Sequence, residues 1–158
     1  MSLSSAWNRF LGRIRSPEAV RIAGEPGRTG PFDELRGAKY TLLVTHKRSG
    51  DPVPTPVWAG LGENGRLYVR TERDVAKVKR VRNDAHVKVA LCNSLGKPRG
   101  ELIEGRARIV SPEEEENAER ALAQHFGLGR RVYESTMGAA AGPMVYIEVS
   151  PVGQEETA

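Results

Sequence analysis

Three prolines stand at alternate positions, Pro52, Pro54 and Pro56, within a stretch that otherwise reads as a β-strand, Pro52-Val-Pro-Thr-Pro-Val-Trp58-Ala. Proline has no N–H to give to a ladder, so such a strand is restricted to a sheet edge or must leave one side open for a ligand. Just before it, Tyr40-Thr-Leu-Leu-Val-Thr-His46 is rich in β-formers and closes on the turn sequence Arg48-Ser-Gly-Asp51. The two pair as a hairpin, with residues 53 to 61 as one continuous outer strand. Asn64-Gly65 then predicts a tight turn into a third strand over residues 66 to 71.

After that strand the period changes from two to three or four. Val75, Val78 and Val81 recur every three residues and predict a short helix with an apolar face, while Arg73, Lys77 and Arg80 form a stripe on another face. Asp74 is placed as its N-cap. Further strands are expected over residues 86 to 92, 101 to 110 and 144 to 149. Ser111-Pro-Glu-Glu114 has capping-box spacing with proline at the first helical position, and predicts a helix to about Phe126 that turns Ala118, Ala121, Leu122 and Phe126 inward. Residues 127 to 143 read as irregular. Six strands, mostly in antiparallel hairpins with two or three helices outside them, predict a mainly β fold of the small-barrel type. Residues 1 to 37 read as an N-terminal arm with a short helix near Trp7 to Leu11, residues 38 to 150 as the barrel domain, and residues 151 to 158 as a polar tail.

The chain has 158 residues, enough for one domain with a core of its own. No apolar run approaches the roughly 20 residues of a membrane helix, and the N-terminal sequence lacks the pattern of a secretion signal, so a cytoplasmic location is expected. The one cysteine, Cys92, excludes an intrachain disulfide and a multi-cysteine metal site, and its apolar surroundings mark it as a small buried hydrophobe.

Charge is unevenly spread. Residues 66 to 82 carry seven basic side chains (Arg66, Arg70, Arg73, Lys77, Lys79, Arg80, Arg82) and two acidic ones (Glu72, Asp74), a net of +5, against +4 for the whole chain. A concentrated cluster of this kind points to an anionic partner. Lys77 and Arg80 share a helix face, Arg70 and Thr71 end the preceding strand, and the four can converge on one phosphate or carboxylate. Nucleic acid is not the expected partner, because few aromatic side chains accompany the cations and the rest of the chain is slightly acidic. His46, His86 and His125 have no metal-ligand spacing. No P-loop, nucleophile elbow or H-E-x-x-H motif occurs, so an enzyme built on this chain leaves the chemistry to a cofactor.

The runs Lys39-Tyr-Thr-Leu, Ser49-Gly-Asp-Pro-Val-Pro-Thr-Pro-Val-Trp58-Ala, Gly65-Arg-Leu-Tyr-Val-Arg-Thr71, Ala76-Lys-Val-Lys-Arg80-Val-Arg82-Asn-Asp and Glu104-Gly-Arg-Ala-Arg, in this order, resemble the pyridoxamine 5′-phosphate oxidase-like split-barrel superfamily. Within it the chain is most similar to the F420-dependent, deazaflavin-type branch. The resemblance spans residues 39 to 149. It implies a six-stranded antiparallel split β-barrel of Greek-key type, the FMN-binding split barrel, with flanking helices. It further implies a homodimer with cofactor sites at the subunit interface. Arg70, Thr71, Lys77 and Arg80 match the family's phosphate contacts, and Thr55, Pro56, Val57 and Trp58 match the strand along the cofactor ring. The loop and strand from 99 to 106 match the partner subunit's contribution. The implied activity is hydride transfer between reduced coenzyme F420 and an unsaturated small-molecule acceptor. FMN at the same site, with oxidase chemistry, and a cofactor-binding protein without turnover are the alternatives. Val75 and the short 93 to 100 loop depart from the commoner family pattern, and the loop borders the site.

Overall fold

The computed structural model describes residues 16–126 and 143–153. Seven strands form one antiparallel sheet: β1 (Thr41–His46), β2 (Pro52–Val57), β3 (Ala59–Leu61), β4 (Leu67–Glu72), β5 (His86–Leu91), β6 (Ile103–Ile109) and β7 (Met144–Pro151). Their order is β2-β1-β5-β6-β7-β4-β3. The two terminal strands, β2 and β3, are consecutive in the chain and separated by Trp58 alone. The sheet must therefore curl until its two ends lie on either side of that residue. The result is a half-barrel, the split-barrel arrangement that the sequence resembles, with β4 returned beside β7 in a Greek-key adjacency.

The seventh strand comes from the prolines. Residues 53 to 61 are not one outer strand: Pro52 to Val57 pair with β1, and after Trp58 the chain pairs instead with β4, Ala59 opposite Val69 and Leu61 opposite Leu67. Pro54 and Pro56 lie opposite Val44 and Leu42 at the sheet edge, where the missing N–H groups cost no ladder bonds on the outer side. The β3–β4 turn closes on Gly65, which adopts φ +79° and bonds back to the Gly62 carbonyl at 3.0 Å. Gly60 serves a different need. A Cβ there would come within 3.0 Å of the Leu122 Cα, so glycine allows a helix to lie directly on β3.

Among the described residues three α-helices cover the sheet: α1 (Pro17–Ala23), α2 (Ala76–Asn83) and α3 (Glu115–Phe126). The curled inner face carries the main core, in which Leu43, Val57, Leu67, Val69, Val89, Ile103 and Ile147 meet Val78 and Val81 of α2. Each such side chain contributes roughly 1.5–3 kcal/mol of transfer free energy. On the outer face, α1 packs Ala19 and Ala23 against Leu42, Val44 and Ala90. At the other end α3 packs Ala118, Ala121 and Leu122 against Tyr68 and Tyr146, with Phe126 partly buried beside them.

The helix starts differ from the expected caps. Asp74 pairs with Arg73, and the N-cap of α2 is Val75, with no side-chain cap bond. Ser111 precedes a 3-10 turn, Pro112–Glu114, rather than capping α3 with its hydroxyl. Glu114 is drawn away to Arg108 at 2.7 Å, so the reciprocal capping box cannot form. The helix expected near Trp7 to Leu11, and nearly all of the irregular 127 to 143 stretch, lie outside the described residues. The segment that follows α1 is tied to β6 by reciprocal backbone bonds, Arg28 N to the Leu102 carbonyl and Glu104 N to the Arg28 carbonyl, both 2.8 Å. It then inserts Phe32 and Leu35 into the main core.

Candidate anion and cofactor site

Alternation decides which face each strand residue occupies. On β1, Leu43 belongs to the inner core and Leu42 and Val44 to the outer, so Thr41 and Thr45 lie on the inner face. Register carries this to β2: Thr55 is opposite Leu43, Val53 opposite Thr45 and Val57 opposite Thr41. Pro56 takes the outer face, where its ring lies 3.5 Å from the Cβ position of Gly96 in the 93 to 100 loop. On β4, Val69 is inward, which makes Thr71 inward and Arg70 outward.

The expected phosphate ligands therefore divide. Arg80 reaches from α2 to β1, its Nε donating to Thr45 Oγ1 at 2.6 Å. Lys77, one turn earlier, lies within electrostatic reach of Arg80 and Glu72. Thr71 is buried on the inner face just before Glu72. Arg70 belongs to another group. Its Nε is 3.8 Å from Glu119 Oε1 of α3, and Tyr146 of β7 donates its hydroxyl to the same carboxylate. Burial, Glu119 and the hydrogen bond to it push the Tyr146 phenol up to about 12.

Lys77 is the most perturbed cation of the cluster. Burial first, and the neighbouring Arg80 charge second, bring its ammonium down to about 8, with Glu72 opposing them. The Lys77 side chain is partly exposed and is not among the buried side chains left without a hydrogen-bond partner. A bound anion would favour the charged form and raise its titration point again. Two cations one turn apart, Arg80 anchored on Thr45 and Lys77 beside it, are the donor set that a phosphate group fits.

Trp58 sits half-buried at the split. Its ring stacks on Phe126 at 5.2 Å and meets Tyr40 edge-on at 6.2 Å, and Lys39 Nζ lies 6.0 Å from its centroid. The histidines serve packing and bonding. His125 accepts the Leu61 N–H at Nδ1 and donates from Nε2 to the Ala38 carbonyl, which fixes one neutral tautomer. His46 stacks on His86, and His86 bonds Glu104. Among the described residues no group of three or more His, Cys, Asp or Glu side chains is placed to hold a metal ion. Burial pushes the Cys92 thiol up to about 12, as suits an inert core residue.

Sequence reasoning did not single out Thr45 or Lys88. Lys88, at 4% exposure, donates to the Ala23 and Glu25 carbonyls, each at 2.6 Å, and so caps the C-terminal end of α1. The signal for Thr45 was present: it is a polar residue at an inward position of a strand whose other inward neighbour is Leu43.

Among solved structures the chain is similar to a conserved hypothetical protein of Mycobacterium tuberculosis, at 19% identity over 87% of this chain and 85% of that one, with a TM-score of 0.56. It is also similar to a FAD-binding protein of Mesorhizobium loti (18%, covering 80% and 92%, TM-score 0.55) and to the heme storage protein HutZ of Vibrio cholerae (16%, covering 75% and 86%, TM-score 0.55). At these identities the likeness is one of fold. No curated protein matches the chain. The family model for pyridoxamine 5′-phosphate oxidase matches residues 32–152, which include the whole curled sheet and the Lys77 and Arg80 pair, and the chain belongs to that family.

Proposed function

We propose that the protein is an oxidoreductase that holds a phosphate-bearing flavin-type cofactor, with Lys77 and Arg80 on its phosphate and residues 55 to 58 along its ring. The observation that carries this reading is the Lys77 ammonium, lowered by burial and by the charge of Arg80, one turn along α2 from an Arg80 guanidinium anchored on Thr45. The family match and the FAD-binding relative support the flavin class. Coenzyme F420 is the cofactor favoured by the sequence resemblance, with FMN as the alternative within that class.

The cofactor, when bound, supplies hydride transfer to or from an unsaturated small-molecule acceptor. The chain's own residues bind and orient. Lys77 and Arg80 neutralise the phosphate, and Thr71 adds a hydroxyl at the inner end of β4. Trp58, wedged between Tyr40 and Phe126, is a rigid apolar wall that excludes water from one side of the split. Arg70 faces away from this group and joins such a site only across a subunit interface, which suits the expected homodimer.

Parallel titrations with F420, FMN and riboflavin test the proposal. Tight binding of a phosphate-bearing cofactor, lost in Lys77→Ala by about 1–3 kcal/mol, is the expected result. Unchanged affinity in that variant would remove the phosphate site from these residues.

A further inference from the structure

We infer that Thr45 is a positioning residue for this phosphate site, acting through Arg80; the inference rests on the cofactor reading above. Thr45 is 1% exposed on the inner face of β1, and its Oγ1 accepts the Arg80 Nε–H at 2.6 Å. Core packing does not require a hydroxyl there. Its inner-face neighbours Leu43 and Val53 are apolar, and valine has the same branched shape. Thr41, on the same face, has a buried Oγ1 with no hydrogen-bond partner, so this face does not satisfy hydroxyls by default. Arg80 satisfies the one at position 45.

The bond has a geometric consequence. Val78 and Val81 anchor α2 in the core on either side of Arg80, and their packing fixes the helix but not the plane of the guanidinium. Tying Nε, the inner edge of the guanidinium, sets the plane of the group, and the terminal Nη atoms then form the fork that meets a phosphate. Thr45 also stands opposite Val53, which makes it the diagonal neighbour of Thr55 on β2. One buried hydroxyl thus sets the distance between the cation that takes the phosphate and the strand assigned to the ring.

Thr45→Val removes the hydroxyl and keeps the shape, while Thr45→Ser keeps the hydroxyl. Affinities for FMN and riboflavin, which differ only by the phosphate, separate positioning from general damage. Thr45→Val is expected to weaken the phosphate-bearing member by about tenfold, leave the phosphate-free member unchanged, and be rescued by serine. Equal losses for both members, or none for either, would overturn the inference. A thermal melt with inorganic phosphate separates the two claims. If the wild type binds no flavin yet is stabilised by phosphate, and Thr45→Val is not, the cofactor reading fails and the Thr45 role stands. If the wild type responds to neither, both fall.

Discussion

Burial lowers the ammonium of two lysines in this fold, and they differ in what each finds around it. Lys88 lies between β5 and the end of α1 with two backbone carbonyls at 2.6 Å, and Glu104 and Glu25 nearby oppose the downward pull of burial on its ammonium. Lys77 stays partly exposed, and burial and the Arg80 charge lower its ammonium with only the nearby Glu72 charge opposing them. The first is a satisfied buried charge and belongs to the architecture. The second is a charge held at a cost, and such groups collect where a ligand completes them. The outer network around Glu148 falls with Lys88: that buried carboxylate accepts Tyr68 Oη at 3.0 Å, Arg108 Nε at 2.9 Å and Arg66 Nη1 at 3.4 Å.

The contrast is sharpest in paired variants. Lys88→Met leaves the Ala23 and Glu25 carbonyls without their donor and loosens α1 from β1, at a cost of about 2–4 kcal/mol in urea denaturation. Lys77→Met has the opposite sign in the cofactor-free protein at pH 7, because it removes a desolvated charge, while weakening phosphate-bearing ligands by about 1–3 kcal/mol. A destabilised Lys77→Met protein would place Lys77 with Lys88 as a charge the fold needs. Glu148→Gln tests the satisfied side. It is expected to cost about 1–2 kcal/mol of stability and to leave ligand affinity unchanged, read by melting and titration on the same sample.

A finer test uses pH. Folded Lys77 titrates near 8, and its ordinary value is 10.5. Between those values the unfolded chain keeps the proton and the folded chain has lost it, so this group makes stability rise with pH across that window. Ligand affinity moves the other way, highest below about pH 8 and falling as the ammonium is lost. Both slopes should flatten in Lys77→Met, and an unchanged stability slope would show that Lys77 is not the group responsible.

The sequence showed much of the fold because its strongest signals are local. Asn64-Gly65 placed a turn, the valines of α2 placed an inward face, and the alternate prolines placed an edge. What stayed hidden depends on contacts far apart in the chain. The break at Trp58 arises because β2 pairs with β1 while β3 pairs with β4 at the opposite end of the sheet, a matter of closure that no short window contains. The caps failed for a different, local reason: neighbouring Arg73 and Arg108 draw Asp74 and Glu114 into ion pairs. Within the site, the charge count located Lys77 and Arg80 but not the face of Arg70. Strand alternation sends Arg70 and Thr71 to opposite sides, and Glu119 of α3 meets the arginine there.

The most direct test of the phosphate site is a calorimetric titration of the wild-type protein and Lys77→Met with F420, FMN and riboflavin at pH 7. A phosphate-bearing cofactor is expected to bind the wild type at least about tenfold more tightly than riboflavin, and Lys77→Met to remove most of that margin. Equal affinities with and without the phosphate, or a margin that survives the loss of Lys77, would contradict it.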